Sequence, residues 1–408
     1  MERTLLVHLH PTHEQAGILK RTLEEHTACF NEVARVGFTT QCSNGTELHK
    51  ETYYPLRMQY PDLPSQLVCA ARVKATEAVK SALTWKAKQE QDYPKKVAKA
   101  HKQGRPVPRF KPVQSPQSER APIRYDVRSY WVKWNINRCS LATTHGRMEL
   151  DFTVPHHLMQ YVGYKTCSAD LCYRKGRFTL HVVVSIPQPD IAPTDIVIGI
   201  DLGLARPAVT STRLFLGERR WQEQERKMFR IRRKLQAKGT KSAKRHLKQL
   251  SGKRFRQRKD HDHVLSKRIV QTTPQGSTLV FENLKEIRAT SKIGRGKGNK
   301  NVETKRRFHS WSFEQLQRFV FYKAEARGIA VVKIDPRHTS QTCSQCGHQH
   351  RSNRRSQSLF KCHECGYSLN ADLNASYNIR NKYVTSLVSL GTSSTDGQLV
   401  SLPLVPTL

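Results

Sequence analysis

Two pairs of cysteines have the spacing of a metal site. Cys343 and Cys346 form one C-x2-C pair, and Cys362 and Cys365 form another after fifteen intervening residues. A glycine follows the second cysteine of each pair, which permits the turn that points backbone amides at the sulfurs. Four thiolates make a closed tetrahedral site, so this spacing predicts one structural Zn²⁺. Two disulfides or four unligated thiols are the alternative, which a reducing cytosol disfavours.

Three acids stand beside apolar segments that could bring them together. Asp201 closes the run Ile196–Ile200, Glu282 follows the apolar run in LVFENL, and Asp372 lies in NADLNASYNI, which begins an amphipathic segment. Converging carboxylates repel one another unless divalent cations neutralise them. Two Mg²⁺ ions about 4 Å apart would suit phosphodiester hydrolysis, because they activate a water and stabilise the leaving oxygen.

Each of these acids could instead be an ordinary cap or one half of an ion pair. Asp335 follows another apolar run and Asp195 precedes the first one, so either is a substitute for a member of the triad. Glu286 is the second choice for Glu282. The three acids together, in a strongly basic chain, favour the metal interpretation.

The chain is strongly basic. Its 408 residues carry 70 Lys and Arg against 33 Asp and Glu, which gives a net charge of +37. Such an excess needs a polyanionic partner, and we expect nucleic acid; a solvated basic face or a polybasic helix on anionic lipid is the alternative. No apolar run approaches the roughly 18 residues of a membrane span, and the start lacks the apolar core of a signal peptide. We therefore expect a cytosolic chain.

The basic residues are concentrated between Arg219 and Arg268, where the apolar spacing predicts two helices broken near Gly239. Candidate contacts to nucleic acid come from three segments: this stretch, the segment between the cysteine pairs, and an aromatic-rich strand. The candidates are Arg233, Lys234, Lys244, Arg245, Lys248, Arg254, Arg256, Arg354, Arg355, Arg124 and Arg128.

The elements that must position these residues fall into two halves on either side of a linker at Pro187–Thr194. The first half predicts a strand, two helices and an antiparallel β-barrel. Its predicted elements are a strand at Thr4–His10, helices at His13–Val36 and from Pro64 to about Gln91, a basic connector at Lys95–Pro122, and strands at Ile123–Val127, Met148–Val154 and Phe178–Ile186.

The second half predicts an α/β arrangement with strands buried on both faces. Its predicted elements are strands at Ile196–Ile200, Thr278–Phe281 and Ile329–Ile334, a helix at Trp311–Arg327 capped by Gly328, a mobile loop at Ser291–Asn301 and a loose tail from Thr385.

Several motifs resemble the TnpB family of transposon-associated RNA-guided nucleases, which are related to type V CRISPR effectors. They are GIDLG at 199–203, LVFENLKEI at 279–287, TSQTCSQCG at 339–347 and FKCHECGYSLNADLNASYNI at 360–379. The basic segment 233–267 and the opening LHPTHEQAGILKRTL resemble other parts of the family. The resemblance runs roughly from Leu6 to Arg380 and is strongest after Ile196. Asn370-Ala371-Asp372 replaces the DRD of many relatives and keeps its last carboxylate, while ARPAV at 205–209 departs from the usual apolar continuation.

The resemblance implies a multidomain α/β and β fold. It comprises an RNase H-like RuvC domain with an inserted zinc ribbon, preceded by a wedge-like β-barrel that carries a helical recognition bundle. The implied parts are residues 1–12, first barrel strand; 13–103, recognition bundle; 104–194, barrel and basic connector; 195–335, RuvC-like core with a basic helical insert; 336–368, zinc ribbon; 369–383, last RuvC segment; and 384–408, loose tail.

The resemblance also implies a function. Asp201, Glu282 and Asp372 match the family's catalytic acids, which implies two catalytic Mg²⁺ ions in addition to one structural Zn²⁺. The implied activity is cleavage of double-stranded DNA beside a short motif, guided by a transposon-derived RNA. A nuclease-silent RNA-guided regulator and a guide-independent transposase are the alternatives. We expect a monomer or weak dimer in a prokaryotic cytoplasm, associated with the nucleoid and not with a membrane.

Overall fold

The computed structural model of the chain describes residues 1–204, 206–285, 287–290 and 299–391. The chain divides into two compact units, the first spanning Met1–Pro187 and the second beginning at Gln188. The first is built on an antiparallel sheet and the second on a mixed α/β sheet, so the predicted multidomain α/β and β class is confirmed. Within the part of the chain that is described, no helix has the length and hydropathy to cross a bilayer.

The first unit contains a seven-stranded sheet in the order β2-β6-β7-β1-β5-β4-β3, with every pair antiparallel. Buried and exposed side chains alternate along its long strands, so one face packs on the core. The edge strands β2 and β3 are joined by a short turn in which Asp126 accepts backbone hydrogen bonds, and the sheet is therefore nearly closed. The strands are β1 (Glu2–Leu9), β2 (Ile123–Tyr125), β3 (Tyr130–Lys133), β4 (Arg138–Thr143), β5 (Gly146–Thr153), β6 (Lys165–Arg174) and β7 (Arg177–Ser185).

Three helices of the first unit share one hydrophobic core with this sheet. They are α1 (His13–Thr39), α2 (Gly45–Gln59) and α3 (Ser65–Lys102). Thr12 begins α1 as a capping box: its side chain accepts from the backbone of Gln15, whose own side chain accepts from the backbone of Thr12. The sequence prediction of α1 is confirmed, three residues short at its end.

Two predictions for the first unit were wrong. The helix α2 was not foreseen, because Pro55 and a polar composition hide its buried face of Leu48, Thr52 and Leu56. The basic connector was expected from Lys95, yet α3 continues to Lys102 through Pro94. Pro94 has no N–H to donate within the helix, but it lies on an exposed stretch of α3. The chain that follows α3 runs back along this stretch, where the Tyr93 hydroxyl donates to the Pro108 oxygen.

The second unit contains a five-stranded sheet in the order β10-β9-β8-β11-β12. The central strand β8 pairs in parallel with β11, which pairs in parallel with β12, whereas β9 and β10 continue the other side antiparallel. The strands are β8 (Val197–Asp201), β9 (Ala208–Thr210), β10 (Phe215–Leu216), β11 (Thr278–Glu282) and β12 (Ala330–Ile334). The three predicted strands are therefore confirmed, but the expected burial on both faces holds for β8 and β11 and not for β12, an edge strand whose side chains are exposed or only partly buried. A separate hairpin follows later in the chain, β13 (Leu359–Lys361) with β14 (Ser368–Asn370).

The described helices of this unit are α4 (Arg219–Lys238), α5 (Lys241–Gln271), α6 (Ile287–Thr290), α7 (Asn299–His309), α8 (Phe313–Glu325) and α9 (Ala371–Gly391). The break predicted near Gly239 is confirmed, since Gly239 adopts φ +63° between α4 and α5. Gly328 follows α8 with φ +64°, as expected of a glycine after a helix.

Two expectations for the ends of segments were wrong in part. The loose tail was expected from Thr385, but α9 continues to Gly391 because no glycine or proline interrupts it before that residue. Residues 392–408 of the tail lie outside the described residues. The loop expected over Ser291–Asn301 lies outside them up to residue 298, and α7 already begins at Asn299.

Candidate active site

The sheet of the second unit brings two of the predicted acids to one edge. Asp201 ends β8 and Glu282 ends β11, and these neighbouring parallel strands pair Ile200 with Phe281 one residue earlier. Because parallel strands end on the same side, both carboxylates lie at the carboxyl edge of the sheet.

The third acid reaches this edge on a helix that packs directly against β8. Asp372 lies in the first turn of α9. A Cβ atom added to Gly199 would lie 2.1 Å from the carbonyl oxygen of Ser376 and 2.6 Å from the backbone nitrogen of Arg380. Only glycine permits so close an approach of strand and helix, which brings the start of α9 beside the end of β8.

The three carboxylates influence one another. Burial, followed by the charges of Glu282 and Asp372, raises the pKa of Asp201 well above its usual value. Burial also raises the pKa of Glu282, against the hydrogen bond from Thr339 and the charges of Arg354 and Lys382. Burial raises the pKa of Asp372 as well, although Arg354 opposes it. This cluster favours a bound cation.

An arginine from the segment between the cysteine pairs lies against this cluster. Arg354 Nη2 donates to Asp372 Oδ1 over 3.1 Å, and their side chains are 27 % and 7 % exposed. The sequence predicted Arg354 only as a contact to nucleic acid, whereas in the structure its guanidinium is paired with the carboxylate of Asp372. Its neighbour Arg355 is exposed.

Two further polar residues hold Glu282 in place and were missed in the sequence. Thr339 Oγ1 donates to Glu282 Oε1, and Gln317 Nε2 donates to the Glu282 backbone oxygen over 2.9 Å. Thr339 opens the TSQTCSQCG motif, and Gln317 is a polar residue on the buried face of α8. The motif position of Thr339 and the polar side chain of Gln317 on an apolar helix face were both visible in the sequence. Neither shows, without the fold, that Glu282 is the hydrogen-bond partner.

The substitute acids are less well placed. Asp195 is exposed and precedes β8, at the opposite end of the strand from Asp201. Asp335 lies about half exposed, with Oδ2 3.8 Å from Lys382 Nζ. Glu286 lies outside the described residues. The geometry therefore favours Asp201, Glu282 and Asp372.

Carboxylate oxygens suit Mg²⁺, a hard cation, so the donor set fits the predicted ions. Among the described residues, only the four cysteines place their ligand atoms all within 4.8 Å of one another. The three acids do not meet this distance criterion, and Arg354 lies beside Asp372. The acids can hold cations at one sheet edge, but they do not form a closed cage for a single ion.

The four cysteines form a cluster of free thiols that could hold a structural zinc. The Sγ atoms of Cys343 and Cys365 are 3.7 Å apart and those of Cys346 and Cys362 are 3.6 Å apart, too far for disulfides. Burial alone would raise the pKa of Cys362, but backbone N–H groups of Cys365 and Glu364 lower it to about 7. The thiolate of Cys362 is favoured in this way, whereas at Cys365 a backbone hydrogen bond from Tyr367 is outweighed by burial and the neighbouring thiols, which raise its pKa. The metal assignment therefore depends on the close approach of the four sulfurs.

The predicted basic contacts differ in how freely they face solvent. Arg254 is partly buried, where its Nη2 donates to Glu225 Oε1 over 3.2 Å. In the first unit, Arg124 lies 3.5 Å from Asp170, and Arg128 is exposed. The remaining candidates of α4 and α5 are exposed: Arg233, Lys234, Lys244, Arg245, Lys248 and Arg256.

A mixed α/β sheet with three acids at one edge and a nearby four-cysteine cluster is the arrangement that the resemblance implies. Residues 181–288 match a family model described as a probable transposase, OrfB_IS605, and residues 313–379 match the Cas12f1-like TNB domain. The resemblance to the TnpB family is thereby confirmed.

Individual relatives agree with these matches. A putative RNA-guided DNA endonuclease, InsQ of Escherichia coli, is 30% identical over 202 residues, covering 46% of this chain and 49% of the relative. The CRISPR-associated endodeoxyribonuclease Cas12f1 of Sulfoacidibacillus thermotolerans is 53% identical over 70 residues, 17% of each chain. A TnpB-like protein of Methanocaldococcus jannaschii is 31% identical over 137 residues, 33% of this chain and 46% of the relative. The chain thus spans half or less of the length of the curated relatives it matches.

A solved structure supports the fold. The mini-RNA-guided endonuclease CRISPR-Cas_phi3 superposes with a TM-score of 0.53 at 10% identity, covering 93% of this chain and 92% of that one. At this identity the likeness concerns the fold alone.

Proposed function

We propose that this chain is an RNA-guided DNA endonuclease that hydrolyses phosphodiester bonds with Mg²⁺ held by Asp201, Glu282 and Asp372. The observation that carries the proposal is the meeting of three partly buried acids of raised pKa at the carboxyl edge of one sheet. Two Mg²⁺ ions, when bound, would activate a water and stabilise the leaving oxygen.

The chain's own residues prepare this centre. Thr339 and Gln317 fix the carboxylate and the backbone of Glu282. Arg354 offsets the negative charge next to Asp372 and is placed to hold an anionic phosphate group when cations take over that task. The close contact at Gly199 fixes the position of α9 relative to β8.

The substrate and the guide are part of the same proposal. The net charge of +37 requires a polyanion, and relatives of the chain are named RNA-guided DNA endonuclease and endodeoxyribonuclease. We assign a transposon-derived guide RNA and double-stranded DNA with an adjacent short motif as partners. The protein would act as a monomer or weak dimer in the nucleoid of a prokaryotic cytoplasm.

The parts of the chain take their roles from the resemblance. Residues 13–103 would be the recognition bundle and 104–194, with the first strand, the wedge-like barrel. Residues 195–335 and 369–383 would form the RuvC nuclease domain, and 336–368 a zinc ribbon that contacts the target.

The test begins with the nucleic acid that the protein carries. The chain is purified from cells that contain its native downstream DNA, and the bound RNA is sequenced. We expect one structured RNA that ends in a variable segment, and with it Mg²⁺-dependent cleavage of matching DNA. Asp201→Ala should abolish cleavage and leave binding intact, whereas Asp195→Ala, at the other end of β8, should cleave normally.

Other outcomes identify the alternatives. Guided binding without cleavage by the unaltered chain would favour the nuclease-silent regulator. Heterogeneous RNA together with strand transfer of transposon-end DNA would favour the guide-independent transposase. Undiminished cleavage by Asp201→Ala would overturn the assignment of the acids.

The zinc assignment has its own measurement. We expect one zinc per chain by elemental analysis, lost in Cys362→Ser and retained in Cys69→Ser, which alters a cysteine outside the cluster. Equal zinc content in the two variants would contradict the assignment.

A further inference from the structure

A cleft in the second unit reaches the loop that follows Asp201 and has no role in the chemistry proposed above. Its cavity volume is about 160 Å³, and its walls come from α4, α5, the end of α7 and the start of α8. Gly203 and Leu204, which follow Asp201, form one rim.

Aromatic side chains line this cleft. The ring of Trp221 stacks on that of His261, with centroids 4.1 Å apart and planes 12° from parallel. Trp311 also lines the cleft, its ring 5.1 Å from that of Phe313. Both tryptophans are only partly buried, so the cleft offers aromatic surface to a flat ligand.

The cleft is also positively charged, and its charges are fixed in place. Five arginines line it against two acids, Glu225 and Asp262. Glu225 accepts from both Arg254 and Arg258, and Arg306 lies 4.0 Å over the ring of Phe229. Arginines held in this way lose little freedom when they bind an anion such as phosphate.

Amide groups complete the lining. Gln222, Gln224 and Gln257 also line the cleft, and the amide of each side chain has both a donor and an acceptor group. Aromatic faces, arginines and amides are the groups that recognise the plane, the phosphate and the edge of a nucleotide.

We propose that this cleft binds an unpaired nucleotide of a nucleic-acid strand, with its base against the tryptophans and its phosphate on the arginines. A strand fits better than a free nucleotide because exposed basic side chains continue along α4 beyond the cleft, including Arg230, Arg233 and Lys234. Arg307 Nη2 donates to the Leu204 oxygen over 2.7 Å, so the bound nucleotide would lie next to the loop that follows Asp201. The inference goes beyond the proposed function, since binding here needs neither a guide nor hydrolysis.

The experiment measures how tightly two strands of eight nucleotides bind the full-length chain, which is first freed of nucleic acid and kept in Mg²⁺-free buffer. One strand is oligothymidine, and the other is an abasic strand of equal charge. We expect tighter binding of oligothymidine, by roughly 5- to 100-fold, because one base stacks in the cleft. Trp221→Leu should remove most of that preference, and Trp221→Phe should keep part of it. Phe321→Leu, which alters a 44% exposed aromatic residue on α8 outside the lining of the cleft, is the matched control and should leave that preference unchanged.

A second measurement keeps the test decisive if Trp221→Leu fails to fold. A strand carrying 5-iodouridine should cross-link on irradiation to a peptide that contains Trp221 or Trp311. Cross-links confined to other peptides, or an equal loss of the preference in Phe321→Leu and Trp221→Leu, would overturn the proposal. If thymidine monophosphate displaced the bound strand as effectively as oligothymidine does, the assignment of the cleft to a strand would be overturned. None of these readouts depends on cleavage, so their failure would leave the proposed nuclease untouched.

Discussion

Arg354 is a cation that contacts Asp372 and acts electrostatically on all three carboxylates. Because its guanidinium lowers the pKa of each of them, its removal leaves buried negative charge uncompensated. We expect Arg354→Ala to lower the free energy of unfolding of the second unit by about 2–3 kcal/mol in Mg²⁺-free buffer. Added Mg²⁺ should reduce this difference, since cations at the acids would replace the lost charge. Thermal melts with and without Mg²⁺ measure both effects.

Arg355→Ala is the matched control for this prediction. It removes the same charge one residue further along the chain, from an exposed position. Its melting temperature should stay close to that of the unaltered chain. Identical melts for the two variants would show that Arg354 does not stabilise the acids.

Asp262 is a buried acid outside the triad, and it makes the stability of the second unit depend on pH. Burial raises its pKa to about 6, although Ser312 donates a hydrogen bond to it over 2.8 Å. The unfolded chain releases this proton near pH 4, whereas the folded chain keeps it until about pH 6, so stability falls as the pH rises between these values. The loss should amount to roughly 2–3 kcal/mol.

The variant Asp262→Asn isolates this effect. The amide keeps an acceptor for Ser312 and cannot ionise, so the variant should be more stable than the unaltered chain at pH 7 and similar to it at pH 4. Urea unfolding at both pH values measures the difference. Asp260→Asn, which changes an exposed acid on the same helix, should follow the unaltered chain. A pH dependence of Asp262→Asn equal to that of the unaltered chain would refute the prediction.

Among the elements, the contact between β8 and α9 fixes the distance between two of the acids. An added methyl at Gly199 would overlap backbone atoms of α9, and backbone cannot rotate away as a side chain can. We expect Gly199→Ala to lower the free energy of unfolding by roughly 1–3 kcal/mol and to reduce Mg²⁺-dependent cleavage, because the helix must move.

A second glycine provides the comparison for Gly199→Ala. At Gly252, inside α5, the nearest atom to an added methyl is Arg256 Nη1 at 3.5 Å. Gly252→Ala should therefore stabilise the helix by about 0.5–1 kcal/mol and leave cleavage unchanged. Denaturant titrations and cleavage rates of both variants decide the matter, and a tolerated Gly199→Ala would mean that β8 and α9 are not locked together.

The elements also show which parts of the fold can be predicted from sequence. Continuous apolar runs identified β8 and β11, because strands buried on both faces leave that pattern. A similar run located β12, although this edge strand is only partly buried. The helix α2 escaped prediction because three buried residues in fifteen give too weak a periodicity. The long extent of α3 was hidden by Pro94, whose usual meaning is a helix end.

At the scale of the whole molecule, the sequence identified candidate acids and cysteines but not what surrounds them. Strand-end positions and motif resemblance pointed to Asp201, Glu282 and Asp372 without any knowledge of contacts. Arg354 could be recognised as basic, yet its partner Asp372 is eighteen residues away in the chain and becomes a neighbour only after folding. The cleft beside Trp221 could not be foreseen at all, because its walls come from four helices that are brought together only by folding: α4, α5, α7 and α8.

The net charge of +37 makes a prediction for the entire chain. Each phosphate neutralised by a lysine or arginine releases counterions, so the logarithm of DNA affinity falls by about 0.9 per contact for each logarithm of salt concentration. If Lys244, Arg245 and Lys248 on α5 contact phosphates, exchanging all three for glutamine should reduce the slope by about 2–3.

The same loss of charge elsewhere separates contact from net charge. Arg21, Arg35 and Arg138 are already held by acids, with nitrogen–oxygen distances of 2.8 Å to Asp62, 2.6 Å to Glu32 and 3.2 Å to Asp151. Exchanging these three for glutamine removes the same formal charge but breaks ion pairs instead of phosphate contacts, so the slope should change by less than one. Binding of a DNA duplex measured between 50 and 200 mM salt, a range over which such contacts alter affinity strongly, distinguishes the two. Equal slopes for both triple variants would mean that α5 attracts DNA only through its share of the total charge.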